Sequence, residues 1–170
     1  MEADVTTREQ VSAPCPIGRA VGLLGERWTL LILRNANLGT TRFDAFRSEL
    51  GIADNILSNR LARMVDAGLL TRVPYCDGGR PRHEYRLTAA GADVLPVLHA
   101  LAAWGQAHTE PGEPSAPMQV IHRACDHATA PSDVCDHCGE PIRREDELWL
   151  RPWRSAEPFP LALPVPRIGT

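Results

Sequence analysis

Between Gly51 and Leu69 the apolar positions Leu57, Leu61, Met64 and Val65 recur at helical spacing on one side, while Asn55, Ser58, Asn59, Arg63 and Asp66 fall on the other. The spacing predicts an amphipathic helix opened by Ala53 and Asp54 and closed by Gly68. Upstream, Ile17, Ala20, Val21 and Leu24 predict a short helix over 16–25, with Pro16 in its first turn. Trp28, Leu31 and Ile32, with Leu30 and Leu33 beside them, predict a denser, well-buried helix over 27–38 ended by Gly39. Phe43, Phe46 and Leu50 space a third small helix that stops at Gly51.

Downstream, strand-like residues over 69–75 and 83–87 flank the run Cys76 to Arg82, whose Asp77, Gly78 and Gly79 predict a hairpin. Its expected loop tip carries Arg80 and Arg82 about Pro81. Thr88 is expected to cap a long helix reaching about His108, and Pro96 to kink it or break it in two. The apolar residues of that helix, among them Leu95, Val97, Leu98, Leu101 and Trp104, cover more than one side. Two uses of the surplus stand open: a dimer seam, or packing against the C-terminal part of the chain.

Helix, Gly-containing turn, helix and hairpin form a winged helix-turn-helix, with the third helix as brace and the fourth as reader. The outer face of the reader offers two amides, a hydroxyl and a guanidinium, groups that match base edges and phosphates in a major groove. Arg80 and Arg82 suit a minor groove or phosphates beside it. The plain alternative for both is a solvated polar surface. The predicted fold class is mainly α with a small β-hairpin: a winged helix-turn-helix domain plus a small C-terminal zinc-binding appendage.

Charge makes any such contact local, because the chain of 170 residues carries a formal net charge of −3. From Arg60 to Arg86, however, six arginines (Arg60, Arg63, Arg72, Arg80, Arg82, Arg86) face three acids (Asp66, Asp77, Glu84), and the chain contains no lysine. No apolar run approaches the roughly 20 residues that span a bilayer. The N-terminus lacks a basic start and a hydrophobic stretch, so a cytoplasmic protein with no membrane partner is expected.

Five cysteines, two of them as C-x2-C, point to metal or redox use more than to a disulfide framework. His122 and Cys125 form one half-site and Cys135 and Cys138 the other, a set suited to tetrahedral structural zinc, with His127 and His137 as rival ligands. The expected organisation is a flexible arm over 1–14, the winged helix-turn-helix DNA-binding and dimerisation domain over 15–108, a Pro-rich linker over 109–119, a zinc-knuckle appendage over 120–154 and an extended Pro-rich tail over 155–170. Two other functional classes are a zinc-dependent protein-interaction module and a small zinc or cysteine enzyme. The second lacks room for a shaped pocket, and no catalytic residue is assigned.

The chain resembles the HxlR-type regulators, a branch of the MarR-like winged-helix transcription factors. The resemblance rests on Cys15-Pro16, Gly25 to Leu33, Arg42-Phe43, Ile56 to Leu61, Asp66 to Leu70, Tyr85 to Thr88, Gly91, Leu95 to Leu98 and Trp104-Gly105, in order over about 15–108. Asp54 and Asn55 depart from the proline and cation that many members carry at the start of the reading helix, which bears on the bases read. The resemblance implies a homodimer on a near-palindromic promoter site in double-stranded DNA, read by Asn55, Ser58, Asn59 and Arg63, with Arg80 and Arg82 serving the wing. It also implies that Cys15 matches a redox-sensing thiol, the alternative being a small apolar filler. A dimer with a kinked helix beside Trp28 and Trp104 could enclose an apolar cavity, a further expectation suited to a small-molecule effector.

Overall fold

A computed structural model describes residues 14–112, 116–132 and 134–166. The predicted N-terminal arm, Pro14 apart, and residues 167–170 of the predicted tail lie outside the described residues. Helices α1 (Pro16–Leu24), α2 (Arg27–Asn37), α3 (Phe43–Leu50) and α4 (Asp54–Asp66) follow in order. Then come strands β1 (Leu70–Asp77) and β2 (Arg80–Leu87), helices α5 (Ala89–Ala92) and α6 (Leu95–His108), and strands β3 (Gln119–His122), β4 (His127–Thr129), β5 (Glu147–Leu150) and β6 (Phe159–Pro160). Among the described residues no helix is long and apolar enough to cross a membrane.

Burial follows the apolar spacing. Ile32, Leu33 and Ala36 of α2 meet Phe46 of α3 and Leu57, Leu61 and Met64 of α4 in one core, closed by Leu70, Leu87, Leu95 and Leu98. The expected long helix is two: α5 begins where the Thr88 hydroxyl accepts from the Gly91 N–H, and Pro96 sits in the first turn of α6, where its missing N–H leaves no bond unmade.

The wing departs from expectation in one respect. β1 and β2 pair antiparallel from Leu70↔Leu87 to Asp77↔Arg80, leaving only Gly78 and Gly79, at φ 56° and 80°, in the turn. Two consecutive positive φ values make a two-residue hairpin loop whose twist matches its strands, so the ladder runs further than the residue types suggest. Arg80 and Arg82 therefore stand on β2, not in a loop. The ribbon is tied to the helices by the Tyr85 N–H, which donates to the Thr41 carbonyl at 2.7 Å, and by an antiparallel bridge between Arg42 and Glu84.

The C-terminal part is not a bead on a linker. Its sheet, ordered β4-β3-β5-β6, contributes Val120 and Trp149 to the same core as α2 and α4, and Leu161 joins them. Arg144 fastens it: its Nε donates to the Ala162 carbonyl at 2.8 Å, one amino group reaches the Ala92 carbonyl at 3.3 Å, and the other bonds the Asn37 side chain. The Asn37 carbonyl accepts the Ala162 N–H at 2.7 Å, and Leu87 accepts that of Val165 at 2.8 Å. The tail thus docks on its own chain.

Gly91 is fixed by close approach, since a Cβ there would lie 2.0 Å from the Leu69 carbonyl oxygen. Gly91→Ala is expected to lower stability by about 1–3 kcal/mol through overpacking. Urea denaturation checks this against Gly112→Ala, where a Cβ meets nothing within 4 Å.

Candidate nucleic-acid interface and metal centre

Asn55, Ser58, Asn59 and Arg63 all lie exposed on α4, opposite Leu57, Leu61 and Met64, which are withdrawn from water. Among the described residues the side chains of Asn55, Ser58 and Asn59 hold no partner, so their donors and acceptors point outward unused. Arg63 is different. One of its amino groups lies 3.1 Å from a Glu26 oxygen, and the other oxygen of Glu26 holds Arg60. Burial, and then the neighbouring Arg63 charge, pull the Arg60 guanidinium below its ordinary value. Among the described residues its buried Nε has no hydrogen-bond partner.

The wing arginines are also distinguished from each other. Arg82 lies 3.5 Å from Asp44 at the start of α3 and 3.6 Å from Asp77 across the ribbon. Asp44 in turn meets Arg47 at 3.5 Å, and Arg47 meets Asp54 at 3.4 Å. A chain of ion pairs thereby joins the ribbon to the first residue of α4. Arg80 takes part in no ion pair among the described residues and is exposed. Glu26, Asp44 and Arg47 belong to this face, and residue-type reasoning missed them. The one available signal was Asp54, an acid at the mouth of an otherwise basic segment.

The second site gathers His122 at the end of β3, Cys125 in the turn after it, and Cys135 and Cys138 in a loop stitched by two backbone bonds. In that loop the Gly139 N–H donates to Cys135, and the Cys135 N–H donates to Glu140, both at 2.9 Å. The four ligand atoms lie within 4.8 Å of one another and could hold one metal ion. His122 Nδ1 is 3.5 Å from Cys125 Sγ and 3.3 Å from Cys138 Sγ, and Cys125 and Cys135 sulfurs are 3.8 Å apart. His122 and Cys135 are buried, Cys125 is half-buried and Cys138 is exposed.

Backbone N–H groups aimed at sulfur poise this cluster. That of Cys138, helped by that of His137, brings the Cys135 thiol down to about 6. Burial pushes Cys125 up, and the Cys135 and Cys138 thiols add to that rise. The Asp136 carboxyl is held low by the Thr129 hydroxyl and the Ala130 N–H. His127 and His137 stack on each other, centroids 3.5 Å apart, outside the four-ligand group. His127 Nδ1 bonds the Cys125 carbonyl instead.

Cys15 is exposed at the N-cap of α1, a helix with no buried residue. Ile17 and Val21 of α1, and Val97, Leu101 and Trp104 of α6, stand open to solvent. The C-terminal sheet therefore leaves one apolar side of α6 uncovered. Two clefts on α6 are lined by His99 and Ala103 together with C-terminal residues.

Residues 23–113 match the family described as HxlR-like helix-turn-helix. The HTH-type transcriptional regulator Rv3095 of Mycobacterium tuberculosis is 44% identical over 126 residues, 74% of this chain and 78% of the relative. YtfH of Escherichia coli K12, another HTH-type transcriptional regulator, is 33% identical over 91 residues, 53% of this chain and 71% of the relative. The crystal structure of PA1607, described as a candidate transcription factor, superposes with a TM-score of 0.64 at 34% identity, covering 81% of this chain and 94% of that one. The likenesses to Rv3095 and PA1607 are longer than all of the chain up to residue 113, so they run into the C-terminal part.

Glu26→Gln is expected to cost about 1 kcal/mol in urea denaturation, because Arg60 keeps its largely covered charge and loses its counter-ion while Arg63 is half in solvent.

Proposed function

The chain belongs to the HxlR-like helix-turn-helix family of transcriptional regulators, and from that premise we propose that it binds a near-palindromic promoter duplex as a homodimer. The observation that carries this reading is the outer face of α4, where Asn55, Ser58 and Asn59 are exposed and unpartnered over a fully buried inner face. In two copies, reading helices about 34 Å apart would enter successive major grooves. Asn55, Ser58, Asn59 and Arg63 take base edges and adjacent phosphates, and Arg80 and Arg82 of the ribbon take the backbone alongside.

The open apolar residues of α1 and α6 support a homodimer, since a patch of that kind marks an association surface. Cys15 stands at the N-cap of the helix that carries the exposed Ile17 and Val21, so a thiol-reactive signal acting there would act on that helix. A small-molecule signal is the other form of control that we include. We assign the chain no catalytic step, and place it in the cytoplasm with duplex DNA as its partner.

We also propose that His122, Cys125, Cys135 and Cys138 hold structural zinc. Tetrahedral zinc, with Zn–S about 2.3 Å and Zn–N about 2.0 Å, puts sulfurs about 3.8 Å apart and nitrogen about 3.5 Å from sulfur. The separations of 3.8 Å between sulfurs and of 3.5 and 3.3 Å from nitrogen to sulfur agree with that. Bound zinc would add a cross-link between two short loops already joined by the Thr129–Asp136 hydrogen bond and the His127–His137 stack. A zinc-dependent protein-interaction module remains the second reading for this part, favoured by the exposure of Cys138 and its loop.

Gel shifts against a promoter library test the DNA assignment. Asn59→Ala should weaken the best-bound duplex by about 1–3 kcal/mol and others less, whereas Arg82→Ala should weaken all duplexes alike. Binding unchanged in both variants removes these roles. Elemental analysis should find about one zinc per chain, and far less in Cys135→Ser. A metal-free wild-type protein refutes the zinc assignment.

A further inference from the structure

The metal cluster and the helix-turn-helix half of the molecule meet at a polar post. His99 projects from α6 with Nε2 2.6 Å from Glu147 Oε1, and the same oxygen accepts the Trp149 indole N–H at 2.6 Å. The His99 and Trp149 rings lie 5.7 Å apart, centroid to centroid. Glu147 is only 5% exposed, so this carboxylate is committed to its two donors. It is also the residue that β5 sets opposite His122 in the β3–β5 ladder, and His122 is the imidazole of the metal cluster.

Two clefts, of about 330 and 450 Å³, open beside this post, and His99, Ala103 and Pro131 line both. Between these spaces α6 meets the sheet through the His99–Glu147 hydrogen bond, while Leu95 and Leu98 pack into the core that Val120 and Trp149 share. The far side of α6 carries Val97, Leu101 and Trp104, the open apolar stripe.

We infer that the cluster is a regulatory metal site: occupancy by a soft divalent cation such as zinc sets the seat of α6 through His122, Glu147 and His99, and thereby the dimer and its grip on DNA. This rests on the zinc and dimer readings above. The physical step is short. Metal joins the turn after β3 to the loop of Cys135 and Cys138; without it, Val120 still holds one end of the four-residue strand β3 in the core, while the His122 end keeps its ladders and the Arg123–Asp146 backbone bond. Fraying of β3 against β5 frees Glu147, and His99 then loses the acceptor that orients α6. His99 is a positioning residue here, touching neither metal nor DNA. The metal-loaded form is the one that binds duplex tightly.

The experiment uses the full chain with cobalt(II) and zinc(II) as probes, the tightest duplex from the promoter library, and the variants His99→Ala and His99→Gln. In the wild type, cobalt–thiolate absorption reports the cluster. Zinc should slow amide exchange across residues 95–108 and strengthen duplex binding, each on the order of tenfold, within the usual range of coupling between sites. His99→Ala should keep the cobalt absorption and lose both zinc responses. His99→Gln, whose amide can still donate to Glu147, should recover part of them, and it carries the test if the alanine variant does not fold. Wild-type protein that takes up cobalt but shows the same exchange and affinity with and without zinc overturns the inference and leaves the zinc reading standing. A full zinc response in His99→Ala also overturns it. Absence of cobalt–thiolate absorption in the wild type sinks the zinc reading and the inference together.

Discussion

Leu57, Leu61 and Met64 can leave water together only if α4 lies with one side against α2 and α3, and the rest of the surface chemistry follows from that constraint. With 3.6 residues per turn, burying those three side chains turns Asn55, Ser58, Asn59 and Arg63 outward. No separate device is needed to present them. The neighbouring ribbon is then held at a set angle to α4 by the Tyr85–Thr41 backbone bond and by the ion pairs that run from Arg82 through Asp44 and Arg47 to Asp54. A polar rod and a cationic ribbon become one surface because each is fastened to the same core.

A second fastening works from the opposite direction. Asn37 is wholly buried at the end of α2 and would be left with unmet hydrogen-bonding capacity if the C-terminal part were absent. Arg144 and the Ala162 N–H supply its side-chain oxygen and its carbonyl with donors, while its own amide donates to the Leu33 carbonyl. Burial lowers the Arg144 guanidinium, and the nearby Glu147 and Asp93 carboxylates act against that. The winged helix-turn-helix and the C-terminal sheet thus share a core and a buried polar junction.

What could be read from residue order was local. Periodicity gave α1 to α4 nearly to their ends, because each has an apolar stripe and a stop signal of its own. The half-sites His122/Cys125 and Cys135/Cys138 were legible for the same reason: metal-ligand spacing is a short-range pattern. Contacts between distant segments left no such trace. Asn37 and Arg144 are 107 positions apart, and His99 and Glu147 are 48 apart, so nothing near either member announces the other. The ribbon lay between these cases. Its Gly78-Gly79 turn was visible, but how far the ladder extends depends on pairing across the strands, and that moved Arg80 and Arg82 from loop to strand. Glu26, which holds Arg63, comes from before α2, and Asp44, which holds Arg82 together with Asp77 of the ribbon, comes from α3; both were equally out of sight.

Those acids change what the arginines can do. Arg47, Arg63 and Arg82 each already hold a carboxylate. A polyanion laid on this face must displace a tethered negative charge rather than mobile salt ions, so fewer counterions are set free than guanidiniums engaged. The strength of any such complex would fall less steeply with ionic strength than the number of arginines implies. The same carboxylates penalise a polyanion that arrives out of register, since they repel whatever they are not exchanged for.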